Sequence, residues 1–302
     1  MSSARIPIVA SLLALGAGAV WSLGGITAKV ADGADPFQYL VWRSVAVIVV
    51  VEALSFLQLK PAPTLTAYRS GRTMIIANVM LFIASFGFVY AVKTTSPANA
   101  AFLGSTVPIF GALLAWVILR ERLNWVTIVA IVVAFIGLLV TVVGDLGSGT
   151  MVGNLAALSS AVGFAGYTVC VRSDRDRDWS PVLPGYAVMM IVVCGTVTLA
   201  KGNPLVPPTG DLLLALLHGG VIIVLGTYMF NHASKQVPAA VMTLFAQTEM
   251  VLVPVWSITL LGERPKTMVL LGGCIIFVAI LGKAIYDART ANQAPVTAPT
   301  LV

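Results

Sequence analysis

Apolar residues run through this chain in long blocks, separated by short stretches that contain Pro, Gly or charged residues. A block of about 20 apolar residues is long enough to cross the hydrocarbon core of a bilayer as an α-helix. The pattern therefore predicts an all-α integral membrane protein with ten transmembrane helices. The predicted spans are residues 6–30, 36–58, 72–93, 96–119, 124–144, 152–173, 182–200, 211–235, 238–262 and 265–286.

The composition supports a membrane protein. Hydrophobic residues make up 58% of the chain, charged residues 10%, and the mean hydropathy is +0.96, whereas soluble domains carry about 25% charged residues. Most of the charges lie between the apolar blocks or near their ends, and only Glu52, Glu249 and Arg43 lie well inside them. A charged side chain at the bilayer centre costs at least about 2.5–3.5 kcal/mol, so the sequence places few charges where this cost applies.

The basic residues predict the orientation of the chain. If the N-terminus is cytoplasmic, 12 Lys and Arg residues fall on the cytoplasmic side and five on the other side. The positive-inside rule then places both termini in the cytoplasm, with the protein in the bacterial inner membrane. The first block is too long for a cleavable signal peptide. Residues 287–302 are expected to form a disordered cytoplasmic tail.

The two halves of the chain share an internal repeat. The segment from Ala14 through Trp21 to Lys29 matches the segment from Ala157 through Phe164 to Arg172 at an offset of 143 residues. The pattern Leu-x-Glu-Arg at 119–122 recurs at 261–264. Because five spans are an odd number, the second copy would enter the membrane from the opposite face. The sequence predicts two inverted five-helix repeats, residues 6–144 and 152–286, an arrangement found in transporters.

At these residues the chain resembles the EamA family of the drug/metabolite transporter superfamily. The shared features are the ten spans in two halves, the Trp or Phe late in the first helix of each half, and the Leu-x-Glu that closes the fourth and ninth spans. One departure is Glu249-Met250, where the family usually has Glu-Pro. The resemblance implies a secondary transporter that works by alternating access, most like the bacterial exporters of aromatic and other amino acids.

Other functions stay open at this stage. An exporter of drugs, nucleosides or other metabolites would have the same architecture, and a membrane enzyme or a channel is a more distant alternative. The sequence contains no metal-spaced His/Cys set and no phosphate-binding Gly-rich loop, so we expect no enzyme activity, cofactor or metal. The expected partners are a small-molecule substrate and the lipid bilayer, without nucleic acid, and the protein is expected to be a monomer.

The candidate substrate-binding residues are aromatic or polar residues inside the predicted spans, since transporter sites lie near the membrane midplane. They form three groups: two aromatic residues at equivalent positions of the repeat with their neighbours, a stripe of aromatic residues on the third span with its equivalents on the eighth span, and a set of polar residues. Helix packing is the alternative role for each of them. The candidates are Trp21, Ser22, Asn78, Phe82, Phe86, Tyr90, Asn99, Phe164, Tyr167, Tyr228, His232, Gln247 and Glu249.

Glu249 is the acidic candidate, because a carboxylate within a membrane span suggests a functional role. It could bind a substrate ammonium, carry a proton, or form a hydrogen bond to a neighbouring helix, so proton antiport and facilitated transport both remain open. Glu52 lies closer to a helix end, where its side chain can reach the interface. Arg43 is expected to join helices or to line an outer vestibule, which leaves a largely uncharged central cavity.

Overall fold

The computed structural model describes residues 6–94, 103–104, 106–121, 123–142, 151–262 and 267–292, and all regular structure within these ranges is helical. The helices are α1 Ile8–Val30, α2 Pro36–Leu57, α3 Pro63–Arg69, α4 Arg72–Thr94, α5 Val107–Leu119, α6 Trp125–Val142, α7 Met151–Ser173, α8 Val182–Ala200, α9 Thr209–Leu217, α10 Val224–Ser234, α11 Ala239–Ala246, α12 Thr248–Leu261 and α13 Thr267–Asn292. A π-helical turn, His218–Ile223, joins α9 to α10 in one continuous helical segment, and a turn at Gln247 separates α11 from α12.

Eight helical segments in the described residues are long and apolar enough to cross a membrane. Two of them combine shorter helices: Thr209–Ser234 contains α9, the π-helical turn and α10, and Ala239–Leu260 contains α11 and most of α12. Two shorter apolar helices, Val107–Leu119 and Trp125–Val140, occupy further predicted spans. The all-α, multi-pass membrane fold predicted from the sequence is confirmed.

Local sequence determines where several helices begin and end. At the start of α2, Asp35 accepts a hydrogen bond from the Phe37 amide at 2.9 Å, and Gln38 Oε1 accepts one from the Asp35 amide at 2.9 Å. This reciprocal capping box satisfies amide groups that have no partner inside the helix. Helix α5 ends where Arg120 adopts a left-handed conformation with φ 54°, and α13 continues to Asn292, beyond the predicted span limit at 286.

The helices pack in a bundle around a central core. Helix α1 packs against α10 and α12, while α7 packs against α4 and α5. Two further pairs, α2 with α8 and α6 with α13, complete the main contacts. Each of these pairs joins the N-terminal half of the chain to the C-terminal half, so the interface between the halves contains the core.

Gly219 allows the π-helical turn to approach α2 closely. A Cβ atom at this position would overlap the backbone carbonyl of Arg43, and a backbone group cannot move aside as a flexible side chain can. Any larger residue must therefore push the turn away from α2 and displace the side chains that both elements carry.

We expect Gly219→Ala to lower the free energy of unfolding by about 1–3 kcal/mol, the usual cost of overpacking a core. Gly282→Ala is the matched control, because that glycine lies in α13 with open space around its Cα, and alanine favours a helix by up to about 1 kcal/mol. Thermal unfolding in detergent measures both variants. A Gly219→Ala protein as stable as the wild type would contradict the close approach.

Candidate functional site

A cavity of about 140 Å³ lies between the two halves of the bundle. Its walls come from α1, α2, α4, α7, α8, the π-helical turn, α10, α11 and the start of α12, together with Gly104 and Val107. An apolar protein cavity of similar size, about 150 Å³, accepts a benzene-sized molecule. The space therefore suits a small solute or one aromatic ring.

The cavity lining is composed largely of residues at equivalent positions of the two halves. The members of each pair are 143 residues apart in the first two helices of each half and 142 apart further on. The pairs are Trp21 with Phe164, Arg43 with Tyr186, Leu81 with Ile223, Ser85 with Thr227, Gly104 with Ala246, and Val107 with Glu249. Both halves therefore contribute the same positions to one space.

Aromatic rings form one wall of the cavity. The Trp21 and Phe164 rings meet edge to face with centroids 5.6 Å apart, and both contact Phe230, at 5.3 and 5.2 Å. Tyr167 stacks on Phe230 from behind and donates a hydrogen bond to Asn231 Oδ1. Trp21 and Phe164 line the cavity, while Tyr167 is fully buried and holds the cluster in place.

Arg43 lines the same cavity, with 1% of the residue exposed. Its Nη2 donates a hydrogen bond to the Ser85 hydroxyl, whereas its Nε has no hydrogen-bond partner among the described residues. Arg43 therefore joins α2 to α4, one of its two expected roles. It also lines the central cavity and not an outer vestibule, so the expectation of a largely uncharged cavity differs from the observed lining.

His218 is a cavity residue that sequence reasoning missed. Its Nδ1 lies 2.8 Å from the Tyr39 hydroxyl, which donates to Thr27 Oγ1 at 3.3 Å, and Thr27 in turn donates to the Gly24 carbonyl at 2.9 Å. His218 Nδ1 either accepts the hydrogen bond from the Tyr39 hydroxyl or donates to it, according to which ring nitrogen carries the proton. Its position within an apolar run, just before Gly219-Gly220, was the available sequence signal.

Gln247 and Glu249 lie at the turn between α11 and α12 and line the cavity. Glu249 is in the first turn of α12, where the helix dipole favours a negative charge. Within the described part of the chain, no ion pair joins Glu249 to Arg43. The cavity thus contains a guanidinium and a carboxyl group that do not neutralise each other by direct contact.

Two polar candidates have structural partners outside the cavity lining. Ser22 is buried, donates to the Ala19 carbonyl at 2.5 Å and accepts a hydrogen bond from Trp256 Nε1 at 2.7 Å, which ties α1 to α12. Asn78 is also buried and donates to the Ala67 carbonyl at 3.2 Å, which ties α4 to α3. Asn99 lies outside the described residues.

The aromatic stripe of α4 faces away from the cavity lining. Phe82 and Phe86 stack at 5.9 Å, Phe86 and Tyr90 stack at 5.6 Å, and Phe37 of α2 covers the last two rings. Tyr228 and His232, the equivalent residues of α10, are exposed on the surface of the bundle. Among the candidates within the described ranges, the structure therefore brings Trp21, Phe164, Gln247 and Glu249 together around the cavity, and the others do not line it.

Comparison with known proteins gives one family and several relatives. The profile of the EamA-like transporter family matches the chain twice, at residues 8–143 and 151–283. An uncharacterized transporter of Clostridium kluyveri is 27% identical over 257 residues, which covers 82% of each chain. The uncharacterized transporter YetK of Bacillus subtilis is 24% identical over 263 residues, or 81% of this chain and 78% of YetK.

One solved crystal structure shares the fold. It aligns with a TM-score of 0.76 and covers 93% of this chain and 98% of its own, at 19% sequence identity. At that identity the likeness extends to the fold alone.

Proposed function

Since the chain belongs to the EamA-like transporter family, we propose that this membrane transporter exports small metabolites by alternating access, with aromatic and other neutral amino acids as its first substrates. The observation that carries the proposal is the cavity between the halves, with an aromatic wall and two separate, oppositely ionisable groups. A neutral amino acid has matching chemistry, because it combines an apolar side chain with a carboxylate and an ammonium group.

The proposed architecture has ten transmembrane helices in two inverted five-helix repeats, residues 6–144 and 152–286. The twofold match of the family profile supports a duplication. The packing supports it too, because exchanging the halves converts the α1 contacts with α10 and α12 into the α7 contacts with α4 and α5. The same exchange maps the pairs α2–α8 and α6–α13 onto themselves.

Alternating access follows from this symmetry. Two related halves of opposite orientation can exchange their conformations, and this exchange opens a site between them first to one side and then to the other. The cavity lies between equivalent positions of the two halves, where such an exchange would change its access. We propose that both termini are cytoplasmic, which follows from the distribution of basic residues.

Within the cavity, we propose that Trp21 and Phe164 contact the apolar part of the solute, while Gln247 and Glu249 bind its ammonium group. Aromatic rings provide stacking and edge contacts for an aromatic side chain. A hydrogen bond to a charged group contributes about 1.5–3 kcal/mol, so loss of the Glu249 charge is expected to have a measurable effect on transport.

Uptake of radiolabelled phenylalanine by proteoliposomes tests the proposal. Saturable uptake is expected for the wild type. Glu249→Gln should lower the transport efficiency, the ratio of the maximal uptake rate to KM, by about tenfold, which is equivalent to about 1.4 kcal/mol. Glu52→Gln is the matched control, because Glu52 also lies in a membrane helix but accepts a hydrogen bond from the Thr64 amide at 2.8 Å, outside the cavity lining. Equal effects of the two substitutions would contradict the role of Glu249.

The same vesicles separate the two modes of energy coupling. An imposed pH gradient should accelerate uptake if the protein is a proton antiporter and leave it unchanged if transport is facilitated. Absence of amino acid uptake in well-folded protein, together with uptake of nucleosides or drugs, would replace the proposed substrate and leave the family assignment intact.

A further inference from the structure

We propose that Arg43 binds the carboxylate group of the transported solute and so makes the cavity selective for amino acids over the corresponding amines. This inference rests on the proposed transport of small amphipathic metabolites, and it adds the residue and the chemical group that determine selectivity.

The environment of Arg43 leaves its charge without an anionic partner. The residue is almost completely buried, and no ion pair to it is present among the described residues. A buried charge without a counter-ion is strongly unfavourable. The Ser85 hydroxyl accepts only one of its five N–H donors, and Nε–H has no partner in the described part of the chain. A ligand anion would supply the missing partner.

The geometry of a guanidinium group favours a carboxylate as that anion. The planar group can donate two parallel N–H bonds to the two oxygens of one carboxylate. The cavity residues beside Arg43 are Tyr186 and His218, which add polar groups but no negative charge. The solute carboxylate would therefore be the main anion that Arg43 meets.

The two halves differ in charge at equivalent positions. Tyr186 occupies the position of the second half that is equivalent to Arg43, and Val107 occupies the position of the first half that is equivalent to Glu249. The first half thus contributes a cationic group to the cavity, and the second half contributes an acidic group. Because of this difference, a zwitterion would bind in one orientation, with its carboxylate at Arg43 and its ammonium group toward Glu249.

Binding selectivity separates this role from a purely structural one. Labelled phenylalanine would be competed with phenethylamine, which lacks the carboxylate, and with 3-phenylpropanoate, which lacks the ammonium group. We expect Arg43→Gln to weaken phenylalanine and 3-phenylpropanoate binding by about tenfold or more, the effect of losing one charge-assisted contact. Phenethylamine binding should change by less than about threefold, which is less than about half of the free energy of a tenfold change.

Two conservative variants and a control extend the test. Arg43→Lys keeps the charge but lacks the planar fork, so we expect a smaller loss of carboxylate selectivity. Ser85→Ala removes the hydroxyl that positions the guanidinium group through Nη2, so it should also reduce the selectivity. This variant keeps the test available if Arg43→Gln does not fold. Arg69→Gln, which removes an exposed arginine of α3, should leave all three affinities unchanged.

Each outcome decides the inference. A parallel loss of phenylalanine and phenethylamine affinity would mean that Arg43 only supports the fold, and unchanged selectivity in Arg43→Gln would also overturn the proposal. If the wild type binds 3-phenylpropanoate but not phenylalanine, and Arg43→Gln abolishes this binding, the carboxylate site stands and the amino acid substrate does not. If the wild type binds neither carboxylate, the inference fails, whatever other solute the protein transports.

Discussion

Trp21→Ala should abolish saturable amino acid transport while leaving the protein folded. The indole ring contacts Phe164 and Phe230 and forms the largest aromatic surface at the cavity. Removing it enlarges the cavity and eliminates the contact proposed for the solute side chain. Truncation of a Trp at the centre of a binding site costs at least about 2 kcal/mol of binding free energy, and a loss of about 3 kcal/mol in solute binding corresponds to roughly 100-fold weaker affinity.

Proteoliposome uptake and thermal unfolding together measure this effect. Trp116→Ala is the matched control, because Trp116 of α5 is 61% exposed on the surface of the bundle and should be dispensable for transport. Trp21→Phe should retain part of the activity, since it keeps a ring in the cluster. Normal transport by Trp21→Ala would contradict the proposed cavity. An equal loss of transport in Trp21→Ala and Trp116→Ala would mean that the effect is not specific to the cavity.

Glu121→Ala should cause a large loss of stability. Glu121 Oε1 accepts a hydrogen bond from Arg172 Nε at 2.8 Å, and its Oε2 accepts one from the Ala239 amide at 3.1 Å. Arg172 also donates to the carbonyls of Lys235 and Ser234, at 3.0 and 3.3 Å. The Glu121–Arg172 pair therefore joins the ends of α5 and α7 to the connection between α10 and α11.

The expected loss follows from the burial of Arg172, whose side chain is 5% exposed. Removing one partner of a buried pair leaves an uncompensated charge and costs about 3–5 kcal/mol, which corresponds to a decrease of about 6 °C or more in the unfolding temperature. Asp174→Ala is the control, because the Asp174–Arg177 pair is more exposed and such pairs contribute at most about 1 kcal/mol. Similar shifts for both variants would contradict the importance of this connection.

The helices could be predicted from the sequence because lipid imposes a simple requirement on length and polarity. A membrane span must be apolar over about 20 residues and must satisfy its backbone hydrogen bonds internally. The first predicted span, residues 6–30, accordingly corresponds to α1, Ile8–Val30. The division of the predicted span 238–262 into α11 and α12 at Gln247 was not predicted, since the apolar run continues through it.

The site was harder to predict because a span that is apolar on all sides does not indicate which face points inward. Arg43 was recognised as a basic residue inside a span, but its depth alone gave no information about its neighbours. His218 was missed for the same reason. Trp21 and Phe164 were identified because the repeat made them equivalent, and the structure places both at the cavity.

Equivalence in the repeat did not determine burial everywhere. Phe86 and Tyr90 are covered by Phe37, whereas the position equivalent to Phe37 in the second half is occupied by Ser180. A serine offers no ring to cover Tyr228, which is 62% exposed. Two related stripes therefore have different surroundings, and only the packing between helices determines which one is covered.

Access to the cavity from the two sides of the membrane is the most direct test of the proposed transport mechanism. The measurement is the labelling of a Thr227→Cys variant by a membrane-impermeant thiol reagent, in right-side-out and inside-out vesicles. Cys170, Cys194 and Cys274 would be replaced by alanine, and Thr198→Cys, at a buried position of α8 outside the cavity lining, would be the control. Alternating access predicts that the thiol at position 227 reacts from both sides, that the control thiol reacts from neither, and that substrate slows the reaction. Labelling from one side only, unchanged by substrate, would contradict the mechanism.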